Sequence, residues 1–302
     1  MNYRLGIDIG GTSAKLGVID EKFNVVERSV VPTARRSADG IIKGVAAAAS
    51  ELIKKYPVPS VGIGSPGRVV RETGVVERSG HLPFTNEPVA GRISALVGLP
   101  AFIDNDANCA LIGEKTAGAA AGYADALLLT IGTGIGGAIL IGGKIYRGHN
   151  NRAGELGHFS MDLNGAVCEC GLRGCFEMQA SATALVELTK KAAAENTSSL
   201  LAELSASGVD GTTAFNAARL GCKVAEELLD EYGRRLAMGI DSLAYVFQPQ
   251  VTVLSGGVSR AGGDLLKYIQ PHRVSDNLLA VSTLHGDGGL IGAAVLGSEY
   301  EE

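Results

Sequence analysis

Short apolar runs broken by glycine-rich turns recur along the chain, and the hydrophobic pattern predicts where strands and helices fall. Leu5 to Ile9, the turn Gly10-Gly11-Thr12 and the run from Ser13 to Asp20 read as strand, turn and strand. The same grammar returns from Ala126 to Ile141 around Gly132-Thr133-Gly134, so the chain carries an internal pseudo-repeat about 120 residues apart. Between the two hairpins the pattern predicts a strand at Val25 to Val31, a helix from Ala38 to Tyr56 and a strand at Ser60 to Gly64. An extended segment from Val69 to Glu77, an irregular loop from Arg78 to Phe84, a helix from Glu87 to Val97 and a strand from Pro100 to Ile103 follow. Asp104 to Asn108 then opens a helix reaching about Gly118. After the second hairpin, Gly142-Gly143-Lys144 makes a turn, and Arg147 to Gly157 forms a loop. Helices dominate from Glu177 to about Val246, with a break at Ser205 to Gly211. A strand at Pro249 to Ser255 turns through Gly256-Gly257 into a helix, a last strand lies at Ala280 to Thr283, and a helix closes the chain from Asp287. Strands alternating with helices make this an α/β protein.

The turns carry the first chemistry. Adjacent glycines tolerate positive φ and let backbone N–H groups approach an oxyanion, while Thr12, Ser13 and Asp8 add hydroxyls and a carboxylate. That set suits a phosphate and its Mg²⁺; standing alone it also reads as a plain hairpin. Each glycine loop leads into another strand, unlike the loop-to-helix order of Rossmann and Walker sites. Asp104-Asn105-Asp106-Ala107-Asn108 sits where a strand ends, the side of an open α/β sheet on which substrates bind. Asp104 or Asp106 would serve as a helix N-cap; a carboxylate fixed here beside an amide could equally orient or deprotonate an attacking hydroxyl. The Gly256-Gly257 turn could meet a nucleoside or simply join strand to helix.

Composition narrows the classes. The 302 residues are long enough for two domains, and 46% hydrophobic content is that of an ordinary globular chain. A net charge of −5 argues against nucleic-acid and anionic-membrane partners, so any recognition of phosphate is local. The 42 glycines follow no collagen-like period and point to tight turns and close backbone approaches to ligands. No apolar run approaches the roughly twenty residues of a membrane span, and the expectation is a cytoplasmic protein. Five cysteines, three of them clustered, fit a reducing compartment and a metal better than a disulfide framework; Cys109 and Cys222 read as buried small residues. The cluster is Cys168, Cys170 and Cys175, interleaved with Gly171 and Gly174 and preceded by His158. Type and spacing identify these four as zinc ligands. Three thiolates and an imidazole would close a tetrahedral site, so the metal is expected to be structural, with one imidazole nitrogen bound and the other free to face a substrate hydroxyl.

Asp8-Ile9-Gly10-Gly11-Thr12, Ser65-Pro66-Gly67, Asp104 to Asn108, Gly132 to Gly137, Glu155-Leu156-Gly157-His158 and Cys168 to Glu177 occur in the order found in the ROK family of bacterial sugar kinases, which the chain resembles throughout. The resemblance implies the actin-like ATPase (hexokinase/Hsp70) fold: a small N-terminal lobe, residues 1–118 joined by a C-terminal helix at 288–302, and a large lobe, 119–287, with the zinc loop. A hinge is expected near Gly118 to Ala124, with ATP–Mg²⁺ and a hexose in the cleft. It implies Asp106 as general base. Gly67, Arg68, Asn105, Glu155, His158 and Glu177 would bind sugar, and Asp8, Gly10, Gly11, Thr12, Lys15, Gly132, Thr133, Gly134, Gly256 and Gly257 would surround the nucleotide. His158 would join Cys168, Cys170 and Cys175 on zinc. Glucose is the first expected acceptor, because the branch with zinc and Glu-x-Gly-His resembles bacterial glucokinases. N-acetylmannosamine is the alternative, because Gly67-Arg68-Val69 resembles the N-acetylmannosamine kinases; fructose, N-acetylglucosamine and allose are further candidates. Ser79 to Phe84 departs from the Asn-Leu-Gly-Trp segment of many glucokinases, and His81 in it is a candidate contact. The family also contains sugar-responsive repressors with an N-terminal helix-turn-helix. A first strand beginning at Leu5 leads us to expect no such domain, and a non-catalytic sugar sensor is the reading of another class. A homodimer is what the resemblance implies for assembly.

Overall fold

A computed structural model describes Asn2 to Glu299. The strands are β1 (Arg4–Ile9), β2 (Ser13–Ile19), β3 (Val25–Pro32), β4 (Val61–Ser65), β5 (Arg68–Val70), β6 (Val75–Arg78), β7 (Thr85–Glu87), β8 (Ala101–Asn105), β9 (Ala126–Ile131), β10 (Ile135–Ile141), β11 (Lys144–Ile145), β12 (Val251–Ser255) and β13 (Leu278–Val281). The helices are α1 (Ala38–Lys55), α2 (Val89–Val97), α3 (Asp106–Ala117), α4 (Phe176–Ala180), α5 (Ala182–Glu195), α6 (Leu200–Ser205), α7 (Thr213–Arg219), α8 (Lys223–Phe247), α9 (Gly263–Ile269) and α10 (Gly288–Glu299).

The two five-stranded sheets repeat one plan. In the first, ordered β3-β2-β1-β4-β8, an antiparallel hairpin is followed by parallel crossovers. The second runs β11-β10-β9-β12-β13, with β9, β12 and β13 parallel. The pseudo-repeat is therefore structural. A short third sheet, β5-β6-β7, contains the segment expected to be one extended run; it folds back through a turn closed by Gly74 N donating to Val70 O at 2.9 Å. The helix expected from Glu87 starts at Val89, because Glu87 is still paired in β7 and proline follows it. The last strand lies two residues earlier than expected, in register with β12 from Val251↔Leu278 to Leu254↔Val281.

The chain forms two compact units. The first comprises residues up to Ala124, Ala138–Gly154 and the chain from Ser282; the second comprises Asp125–Gly137 and Glu155–Val281. In the first, Leu5, Ile7, Ile9, Leu16, Ile41, Ile42, Val45, Val61, Ile63 and Ile103 form a buried core between the sheet and α1 and α2. On the other sheet face α10 packs so closely that a Cβ at Gly62 would lie 1.6 Å from Ala293 O, and one at Gly292 would lie 1.7 Å from Cys109 O. Some of the glycines, Gly6, Gly62, Gly113 and Gly292 among them, thus serve backbone-to-backbone packing. The second unit buries Leu128, Ile131, Phe176, Leu229, Tyr232, Leu236 and Val253, and the Tyr232 hydroxyl donates to Ala180 O at 2.8 Å. Cys109 and Cys222 are buried, as expected.

Candidate active site

In the first unit, Asp8, Gly64 and Asp104 share one row across the parallel strands β1, β4 and β8, at their carboxyl ends. The following turn carries Asn105 and Asp106. The expected caps, Asp104 and Asp106, give way to Asn105, whose Oδ1 accepts from Ala107 N at 2.9 Å and Asn108 N at 3.3 Å. The reason is register: Asn105 is the last extended residue, with ψ 147°, whereas Asp104 is still within the strand and Asp106 is already helical. The Asn105 Nδ2 donates to Gly67 O at 3.3 Å, drawing the Gly67–Arg68 segment to the same strand end. Gly67 has φ +107°, and a side chain there would strike Arg78 O, so only glycine lets the loops approach. Arg68 is exposed and opens β5. Asp106 is half-buried, and its Oδ1 accepts from Ala107 N at 3.0 Å.

The first glycine turn is tied down by Gly10 N donating to Ser13 O at 3.0 Å, Thr33 N donating to Thr12 O at 3.0 Å, and the Thr33 hydroxyl donating to Gly10 O at 2.6 Å. Gly11 faces His81, whose Cβ would lie 3.3 Å from a Cβ on the glycine. Lys15 is exposed and pairs in register with Asp8. Burial and the nearby Asp106 carboxylate push the Asp8 carboxyl up to about 6, with Lys15 opposing the shift. A Cβ on Gly289, in the first turn of α10, would lie 3.2 Å from the Asp8 carboxyl carbon.

The second unit gathers the other predicted residues. The turn Gly132-Thr133-Gly134 is held by Thr183 Oγ1 donating to Thr133 O at 2.8 Å and Ala182 N donating to Gly132 O at 2.9 Å. Gly256 stands at the end of β12 with φ +91°, its would-be Cβ 2.5 Å from Ile131 O, so the Gly256-Gly257 turn lies beside the glycine turn that follows β9. A 3₁₀ turn, Val258–Ala261, separates it from α9.

The ligand atoms of His158, Cys168, Cys170 and Cys175 all lie within 4.8 Å of one another, with Cys168 Sγ to His158 Nδ1 and Cys170 Sγ to Cys175 Sγ both 3.5 Å. Tetrahedral zinc at ordinary bond lengths needs sulfur–sulfur separations of about 3.8 Å, so this donor set fits the metal. Bridges between Ser160 and Cys175 and between Val167 and Arg173 shape the knot. Gly171 and Gly174 take positive φ within it, and a Cβ on Gly174 would overlap Asp162 O. His158 presents Nδ1 to the cysteines and Nε2 toward Glu155, 3.8 Å from its Oε2. Glu177 sits between the knot and the second glycine turn. Its Oε1 lies 3.3 Å from His158 Nδ1 and 3.2 Å from Cys168 Sγ, and its Oε2 accepts from Ile135 N at 3.4 Å.

Sequence reading missed Thr33, Thr183, Gly289 and Arg147. Arg147 makes a buried ion pair with Asp104. No local pattern marks these residues, because each acts on a partner far away in the chain.

The model of the ROK family matches residues 4–299. A glucokinase of Streptomyces coelicolor is 35% identical, over 99% of this chain and 98% of that one. The crystal structure of a ROK family glucokinase from Streptomyces griseus in complex with glucose and AMPPNP superposes with a TM-score of 0.85 at 35% identity, covering 98% of this chain and 99% of that one. A xylose repressor of Caldicellulosiruptor bescii is 31% identical over 72% of this chain and 56% of its own length. Among the described residues, no helix is long and apolar enough to cross a membrane.

Proposed function

The chain belongs to the ROK family, and from that premise we propose that it transfers the γ-phosphoryl group of ATP to the 6-hydroxyl of glucose. It is an ATP-dependent sugar kinase. The observation that carries the reading is the Asn105–Asp106 turn at the carboxyl end of β8: a capping amide and a half-buried carboxylate one residue apart, beside Gly67 and Asp8. Similarity to glucokinases, one of them solved with glucose and a nucleotide analogue, supports glucose as acceptor.

In this reading Asp106 takes the proton of the attacking hydroxyl, and Asn105 and Gly67 hold neighbouring sugar groups. Arg68, Glu155, His158 through Nε2, and Glu177 complete sugar recognition. Phosphoryl transfer depends mainly on positioning and charge stabilisation. Asp8, Gly10, Gly11, Thr12 and Lys15 in one unit, and Gly132, Thr133, Gly134, Gly256 and Gly257 in the other, have the backbone amides and polar groups to surround a nucleotide. Mg²⁺ would neutralise phosphate charge at the Asp8 end. His158, Cys168, Cys170 and Cys175 would hold zinc, which would supply structure rather than chemistry and would fix the His158 ring. In this reading the small lobe is residues 1–118 with 288–302 and the large lobe 119–287, bounds that differ from the two compact units, which place Ala138–Gly154 with the first; a cytoplasmic homodimer is the expected form.

A coupled assay of ADP release across glucose, N-acetylmannosamine, N-acetylglucosamine, fructose and allose tests the proposal. The expected result is the highest kcat/KM with glucose. Preference for N-acetylmannosamine would reassign the acceptor within the same mechanism. Absence of turnover with every sugar, alongside retained sugar binding, would instead make the chain a sensor.

A further inference from the structure

Three carboxylates collect at the carboxyl ends of β1 and β8: Asp8, Asp104 and Asp106. Asp104 is set apart by its surroundings. It is 3% exposed, and both carboxylate oxygens are fully engaged. Oδ2 accepts from Arg147 Nε at 2.8 Å and lies 2.6 Å from Arg147 Nη2. Oδ1 accepts from Asn105 N at 2.7 Å and from Asn108 Nδ2 at 2.9 Å. Three hydrogen bonds and the close approach of Arg147 Nη2 occupy the two oxygens. Both oxygens of Asp104 are thus committed within the protein, and the Arg147 guanidinium balances the charge in place through Oδ2. Two of its donors belong to the turn that carries Asp106, one being the amide of Asn105 and the other the side chain of Asn108. Arg147 is itself held, with Nη1 donating to Ile145 O at 3.3 Å.

Arg147 also begins the segment running to Gly154, which is held at two further points of the first unit. Asn151 Nδ2 donates to Glu72 Oε2 at 3.0 Å, and Arg152 Nη2 to Glu77 Oε2 at 2.9 Å. Those two contacts are exposed, whereas the Arg147 contact is largely withdrawn from solvent, with the Asp104 side chain buried and that of Arg147 partly so. Exposed pairs contribute little to holding a conformation, and the ion pair between partly buried Arg147 and buried Asp104, hydrogen-bonded at both carboxylate oxygens, is the stiff point.

We propose that Asp104 and Arg147 are a positioning pair for the kinase reaction: without touching substrate, they hold the Asn105–Asp106 turn in the orientation that proton removal and sugar binding require. The inference rests on the proposed function. It goes beyond it by giving roles to two residues outside the substrate contacts, and it separates the aspartates chemically. Asp104 is hydrogen-bonded at both oxygens and charge-paired, which leaves Asp106 to accept a proton.

The test uses Asp104→Asn, Arg147→Met, the double variant and Arg147→Lys, with melting temperature, ATP and sugar affinity, and kcat measured on each. Arg147→Met strands a buried carboxylate and melts lower. The double variant removes the whole ion pair, a change that is often neutral for stability, so its melting temperature recovers. Its kcat remains about 100-fold down, the loss expected when a reacting group is misplaced by about 1 Å, while the KM for ATP is unchanged. Arg147→Lys keeps the charge and loses the fork, so it also folds with lowered kcat. A double variant or an Arg147→Lys protein with wild-type kcat would reduce the pair to a stabilising contact and overturn the proposal. A wild-type protein without sugar-dependent ADP formation would remove the kinase reading, and this inference with it; the wild-type control thus distinguishes the two failures.

Discussion

Asp8 and Asp106 lie close enough for each to feel the other's charge, and the consequence for Asp8 can be measured. Its carboxyl titrates at about 6 in the folded protein against 3.8 for an unperturbed Asp. The folded state therefore binds more protons than the unfolded state between those values, and stability falls as pH rises through that window. The cost above pH 6 is at most about 3 kcal/mol. We expect Asp8→Asn, melted without nucleotide or divalent cation, to be more stable than wild type at pH 8 and to lose that advantage below pH 4. Equal differences at both pH values would refute the raised carboxyl. Asp106→Asn should leave sugar binding by calorimetry intact and lower kcat by about 10²–10⁴-fold, the ordinary contribution of a positioned base. Near-normal turnover would remove Asp106 from the mechanism. Both aspartates were legible in sequence because each sits in a dense local motif at a strand end. Arg147 was not, because its partner Asp104 lies 43 positions away and only folding brings them together.

At the scale of elements, the zinc knot and the α10 packing make separate predictions. The knot from His158 to Cys175 has few buried apolar residues and is held by short-range hydrogen bonds and two isolated bridges, so zinc ligation would add substantially to its order. Cys170→Ala should lose zinc by elemental analysis and raise the KM for sugar more than that for ATP, since His158 then loses its fixed ring; unchanged sugar affinity in the zinc-free variant would contradict this. The α10 seam depends on glycine instead. A methyl at Gly292 would overlap Cys109 O on α3, and overpacking of this kind costs about 1–3 kcal/mol. Gly292→Ala should lower the free energy of unfolding by that amount in denaturant titrations, whereas Gly263→Ala, where a Cβ meets nothing within 4 Å, should not. The knot was readable because ligand type and spacing are a local code. The seam was not, since a glycine needed for helix packing looks the same in sequence as one needed for a turn.

At the scale of the whole molecule, binding should appear as stability. A ligand at about 100 times its Kd stabilises a folded protein by about 2.7 kcal/mol. Glucose at that excess should raise the melting temperature correspondingly, and N-acetylmannosamine at the same concentration should leave it unchanged; the reverse ranking would move the acceptor assignment. The alternation of strands and helices, the repeated hairpins, the aspartate-rich turn and the cysteine cluster were all decided by the sequence alone, because each depends on residues within one or two turns of chain. Tertiary structure decided that Asn105 rather than an aspartate caps α3, that Asp104 is charge-paired with Arg147, that Glu177 spans the knot and the second glycine turn, and that Gly6, Gly62, Gly113 and Gly292 serve the α10 seam. Those outcomes depend on register between strands and on contacts between distant segments, and a linear pattern of residue types contains neither.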